Sequence, residues 1–210
     1  MDPLLWAVVF VFTASFLSNV SPFVGASYTL LATLQLFLIG FTPLNFGILV
    51  LVSAAGATLA KAVIYLGAFG FRDILVRNKN VRLIGRYSSS DYFYVVLFFT
   101  ALLPVFPFDD FIFIGAGATS ASLGLMSLVT FAAKLVKSAA EIWLEFTVLG
   151  DLSRLLGLHR LDLTIVLTAV FVAIGVLAYK VDWEAFYGRL RRRGPPSLPD
   201  TTHTNGAKPL

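Results

Sequence analysis

Residues 102–117 read LLPVFPFDDFIFIGAG. Two prolines, Pro104 and Pro107, stand just before two adjacent aspartates, Asp109 and Asp110, and apolar residues surround all four. Proline removes a backbone donor and disfavours helix at the residue before it. Two of them within four residues break an apolar helix and leave the carboxylates at the break. Charges and irregular backbone are tolerated at membrane depth only where protein or water surrounds them. The stretch therefore reads as the tip of a re-entrant hairpin in a hydrated site.

The rest of the chain agrees with a lipid environment. Of its 210 residues 58% are hydrophobic and 13% charged, with a mean hydropathy of +0.84. A soluble domain carries about a quarter charged residues. Apolar runs occupy 3–17, 28–40, 45–69, 93–103, 111–126, 127–149 and 163–179. A span needs about 20 residues. The 45–69 and 127–149 runs satisfy that, 163–179 does so marginally, and the others are short. The start, MDPLLWAVVF, has no basic n-region and reads as mature sequence. There is no cysteine, and the two histidines, His159 and His203, lie in polar segments. The expectation is no metal site and no cofactor. GAGATSASLG at 115–124 follows no strand and is no dinucleotide fingerprint. The expectation is that the chain is not an enzyme.

Arg72, Arg77, Lys79, Arg82 and Arg86 fall in 70–92, and Lys180, Arg189, Arg191, Arg192, Arg193 and Lys208 in the C-terminal part. Basic loops face the cytoplasm, which places 70–92 and the C-terminus inside and 41–44 and 150–162 outside, in a cell (plasma) membrane. The Arg191–Arg193 run reads as a juxtamembrane cluster for anionic lipid rather than a nucleic-acid site. An even number of crossings must join 70–92 to the C-terminus. With spans at 127–149 and 163–179, the stretch 93–126 enters and returns on one side.

The first third repeats the plan. Residues 3–17 lead in, SNVSPFVGAS breaks at Pro22 and Gly25, 28–40 leads out, and 45–69 spans. The expected fold is all-α and integral to the membrane. It has two inverted repeats (about 3–69 and 93–149), each a re-entrant helical hairpin plus a transmembrane helix, and an additional C-terminal transmembrane helix at 163–179. Residues 1–180 form one transmembrane domain, and 181–210 a basic, disordered cytoplasmic tail. GATLAKAVIYLGAFG and TFAAKLVKSAAEIWL are faintly alike. The other reading is five or six ordinary spans kinked at proline. Residues 70–92 read as an amphipathic interfacial helix, with Ile74, Leu75, Val81, Leu83 and Ile84 toward lipid.

At about 100° per residue, with Lys134 at zero, Lys137 falls near 300°, Glu141 near 340° and Glu145 near 20°. Thr130 and Ser138 share that side, and Trp143 faces away. Lys137 and Glu141 have the spacing of an ion pair. The stripe lines a polar route or forms a salt-bridge ladder between helices. Lys61 is the one charge in 45–69, a partner for one of the acids. Asp109 and Asp110 cap the following half-helix, or hold a proton or cation between repelling carboxylates.

Three stretches in order, SPFVGASYTLL, GATLAKAVIYLGAFGFR and FFTALLPVFPFDDFIFIGAGAT, resemble the DedA family, also called the VTT or SNARE-associated-Golgi-protein family. The resemblance covers about residues 15–150. It implies a re-entrant-hairpin membrane protein that moves lipids between leaflets, with phospholipids or polyprenyl phosphates as cargo. Bacterial flippase members carry a glutamate in the first tip, where this chain has Gly25 and Ala26. They carry two arginines around the second, where it has about Ala101 and Pro107. The P-x-x-P-x-D-D version looks more like scramblase-type relatives.

The functional expectation is a flippase or scramblase. Its polar groove would be lined by Asp109, Asp110, Lys134, Lys137, Glu141, Glu145 and Lys61. A proton- or cation-coupled carrier of a small solute and a non-transporting scaffold are the alternatives. Membrane lipids are the expected partners, with protons or cations in the coupled case, a homo-oligomer as an allowed assembly, and no nucleic acid.

Overall fold

The structure is a computed structural model that describes residues 2–20, 28–88, 90–103, 108–159, 162–167, 169–170 and 173. The expected hairpin breaks at Pro22, Gly25, Pro104 and Pro107, most of the final helix and the 181–210 tail lie outside the described residues. Among the described residues the secondary structure is helical, with no strand. The helices are α1 (Pro3–Val20), α2 (Tyr28–Ile39), α3 (Pro43–Gly70), α4 (Arg72–Leu75), α5 (Lys79–Tyr87), α6 (Asp91–Leu102), α7 (Phe108–Ala118) and α8 (Leu123–Leu156), with further helical residues at 162–167.

Local sequence sets the ends of the long helices. The Thr42 hydroxyl accepts from the Asn45 amide at 3.0 Å and Pro43 follows at the first helical position, so α3 starts there. Gly157, with φ of 64°, stops α8 in a left-handed turn. At 1.5 Å per residue α3 is about 42 Å long and α8 about 51 Å, against a hydrocarbon core of about 30 Å. α1, α3 and α8 are each long and apolar enough to cross a membrane.

The bounds differ from the sequence expectation in three places. α1 runs on to Val20 and reaches spanning length, where 3–17 reads as a short arm. α8 begins at Leu123 and continues past Asp151, Ser153 and Arg154, and it stops only at Gly157. The 111–126 run is not one arm, since α7 ends at Ala118. Ser120 sits at φ 61°, the Ala121 amide donates to Ala116 O at 3.0 Å, and the Ser120 amide donates to Gly117 O at 3.3 Å. That pair of bonds is a Schellman turn, and it sends the chain directly into α8.

α3 and α8 pack against each other at the centre. α1 packs on α3 and α6 on α8, while α2 packs on α8 and α7 on α3. Side chains are distributed inside-out relative to a soluble bundle. Leu44, Leu66, Phe99, Leu128, Trp143 and Leu144 are exposed, whereas Ser15, Ser53, Lys61, Asp109, Asp110, Thr130 and Lys134 are buried. An apolar shell around polar joints is compatible with a membrane protein, whose helices gain nothing from exchanging lipid for leucine and associate through close packing and hydrogen bonds.

The α1–α3 joint illustrates that close packing. The Ser15 hydroxyl donates to Ser53 O at 2.6 Å, and a Cβ added at Gly56 would lie 2.7 Å from Phe12 O. Gly56→Val therefore forces the helices apart and lowers stability by about 1–3 kcal/mol. Gly47 of the same helix has open space around it, and Gly47→Ala raises stability by about 0.5–1 kcal/mol. Unfolding midpoints of the two variants in detergent, measured against the parent, check both signs.

Candidate functional site

α7 carries Asp109 and Asp110 in its first turn, where the helix dipole favours negative charge. The Asp109 carboxylate accepts from the Asp110 amide at 3.1 Å, satisfying a donor that the helix start leaves open. Adjacent helical residues diverge by about 100°, so the two carboxylates reach different partners. Asp110 pairs with Lys61 of α3. Asp109 lies 3.5 Å from Lys61 Nζ and 3.0 Å from Lys134 Nζ of α8. Lys61 and Lys134 are 3% exposed and the aspartates 4%. Two amines and two carboxylates thus form a formally neutral cluster that ties three helices together out of solvent.

The polar stripe of α8 continues from that cluster. Lys137 Nζ lies 3.9 Å from Glu141 and donates to Leu103 O at 3.4 Å, the carbonyl just past the end of α6. Carbonyls at a helix C-terminus attract a cation. Further along, Glu145 accepts from the Thr29 hydroxyl at 2.7 Å and from the Thr33 hydroxyl at 2.8 Å, both on α2. The Tyr28 hydroxyl lies 3.4 Å from Ser138 Oγ, within hydrogen-bonding distance. Trp143 is on the opposite face and exposed.

The structure thus brings Lys61, Asp109, Asp110 and Lys134 into one cluster. It strings Lys137, Glu141 and Glu145 along the same helix face. A bond to a first-turn amide and ion pairing coexist at Asp109. Sequence reasoning missed Tyr28, Thr29 and Thr33, the residues that dock α2 on α8. Their signal is a Thr–Thr pair four residues apart, one turn of helix, in an otherwise apolar segment. Among the described residues no three His, Cys, Asp or Glu side chains gather as a metal site requires. Comparison of the chain with family profiles, curated proteins and solved structures returns no match.

Removing one member of a buried ion pair leaves the other charge uncompensated, at a cost of about 3–5 kcal/mol, whereas replacing the pair with apolar residues is close to neutral. Lys61→Met is expected to lower stability by about that amount, and Lys61→Met with Asp110→Leu to recover most of it. A double-mutant cycle on unfolding midpoints in detergent measures the coupling. Additive losses would deny that these two side chains act as a pair.

Proposed function

We propose that the protein is a lipid translocator of the DedA type, a flippase or scramblase passing phospholipid or polyprenyl-phosphate headgroups along the polar face of α8. The observation that carries this reading is the run of two lysines and then two glutamates along one face of α8, joined to Asp109 and Lys61 at one end and to hydroxyls at the other, inside an apolar helical shell. Lys134 to Glu145 is eleven steps along the helix, about 16 Å of rise, roughly half the hydrocarbon thickness. A zwitterionic or phosphate headgroup can replace one partner at a time along that run. Each step then exchanges one ion pair for another instead of leaving a bare charge in a medium of low dielectric. The acyl tails remain in lipid outside the bundle.

In this proposal α1 with α2, and α6 with α7, are the arms of two re-entrant hairpins, and the two units are inverted repeats. The packing supports it. Exchanging α1, α2 and α3 for α6, α7 and α8 turns the α1–α3 contact into α6–α8, and the α2–α8 contact into α7–α3. Polar residues in the first turns of α2 and α7 behave alike, each reaching the long helix of the opposite unit. The short arms α2 and α7 are the elements whose polar first turns separate from α8 to open the groove, α2 at Glu145 and α7 at Lys134. The basic segment from Arg72 to Arg86 faces the cytoplasm of a plasma membrane in this arrangement.

The burial and mutual pairing of the tetrad favour a second reading, a clasp in a non-transporting scaffold. Purified protein in vesicles carrying fluorescent phospholipid separates the two. The translocator accelerates leaflet exchange above empty vesicles. Thr29→Val with Thr33→Val, which removes two neutral donors and no charge, changes the exchange rate about tenfold while the protein stays folded, the equivalent of about 1.4 kcal/mol. Exchange equal to that of empty vesicles, with zwitterionic, anionic and polyprenyl-phosphate lipids alike, sinks the translocator and leaves the clasp.

A further inference from the structure

We propose that α5 docks anionic phospholipid headgroups on its outer face, and that this docking sets the position of α7, the helix carrying Asp109 and Asp110. The inference does not depend on whether lipid crosses the bilayer. At about 100° per residue, with Lys79 at zero, Arg82, Leu83 and Arg86 fall within about 60° of it, whereas Val81, Ile84, Gly85 and Ser88 cluster around the opposite side. α5 contains no acidic residue. Lys79, Arg82 and Arg86 are exposed, and with Leu83 they line a shallow concavity.

The opposite face does not meet lipid, contrary to what the sequence suggests for Val81 and Ile84. Val81 is buried, and Ile84 packs against the core cluster of Tyr65, Phe93, Leu97, Phe113, Ala116 and Met126. This contact with α7 has no slack. A Cβ on Gly115 would sit 2.9 Å from Ile84 Cβ, and one on Gly85 would sit 2.7 Å from Thr119 Cβ. Six residues separate Asp109 from Gly115, about 9 Å along one short helix. A displacement of α5 therefore reaches the ion cluster through a rigid element.

The surroundings select lipid as the occupant. α3 is a candidate span ending at Gly70, and α4 and α5 follow within nine residues. Phe71, Ile74, Leu83 and Tyr87 are exposed beside the cations, and Arg72 lies over the Phe69 ring at 5.3 Å. Aromatic and aliphatic side chains among arginines suit the headgroup level of a bilayer, where apolar and basic groups are both satisfied.

Hydrogen–deuterium exchange on the full chain tests this. Lipid nanodiscs would hold phosphatidylcholine alone, or phosphatidylcholine with phosphatidylglycerol. Attraction of about 1 kcal/mol per surface cation is about fivefold each, so three cations slow exchange at 79–87 by roughly a hundredfold in anionic discs. Exchange at 108–118 slows with it. Lys79→Gln, Arg82→Gln and Arg86→Gln together abolish the difference between discs, and Arg82→Lys with Arg86→Lys retains it, which separates charge from folding. Equal protection in both discs overturns the proposal. So does the same protection in phosphatidylcholine from inorganic phosphate or an RNA oligonucleotide. Protection of 79–87 alone overturns the coupling to α7.

Discussion

The fold turns on the cluster of Lys61, Asp109, Asp110 and Lys134. Ions at this degree of burial lose their hydration at a cost of several kcal/mol each, and only excellent mutual geometry repays it. α7 is eleven residues long, too short to be a stable helix by itself. Its acidic first turn acquires a place only when α3 and α8 present their lysines together. Everything around the cluster follows from that requirement. α3 and α8 must be adjacent, and α7 must lie against α3. The turn at 119–122 must be tight enough to bring α8 straight back. The Tyr65 hydroxyl secures that turn by donating to Ala121 O.

Two kinds of joint hold the helices, and they differ in what can replace them. α1 is held to α3 by small residues in close contact, with Ser15 bonded to the Ser53 carbonyl and Gly56 against the α1 backbone. Neither water nor a headgroup can take the place of steric fit. α2 is held on α8 by hydroxyls and a carboxylate, and the first turn of α7 is held on α3 and α8 by carboxylates and amines, while its other end packs closely on α3, with Gly117 against the Tyr65 carbonyl. The hydroxyl contacts can be met by water, since a bridging water is nearly as good a partner as a direct bond, whereas the ion pairs can be replaced only by another charged group.

Helical class and lipid-type composition were legible in the sequence because hydropathy is summed over many residues and tolerates local error. So was the polar face of α8, since a regular helix makes angular position a function of residue number alone. The ends of elements were less so. α8 outruns its apolar run at both ends because a helix stops at a left-handed residue such as Gly157, and polarity by itself does not stop it. Pairing across helices was least legible. Lys61 and Asp110 are far apart in the chain, and periodicity places each on a face without fixing which faces meet. Thr29 and Thr33 went unnoticed because a hydroxyl in an apolar helix can also bond to its own backbone, as Thr13 does with Val9 O at 2.8 Å. The sequence does not distinguish that from a bond across to Glu145.

The same distinction decides where motion is cheap. Opening a neutral, close-packed joint exposes unmatched surfaces and loses dispersion contacts that lipid tails refill poorly. Opening a charged joint in the presence of a charged ligand exchanges partners at nearly constant electrostatic energy. In the proposed mechanism α1 and α3 therefore form the frame, and the first turns of α2 and α7, aimed at the long helices, are the attachments a charged ligand competes for. α5 bears on α7 and the turn that follows it, through Ile84 on Gly115 and Gly85 on Thr119. In the proposed docking, the basic surface of α5 therefore addresses one of the two short helices whose first turns are held by hydroxyls or charges.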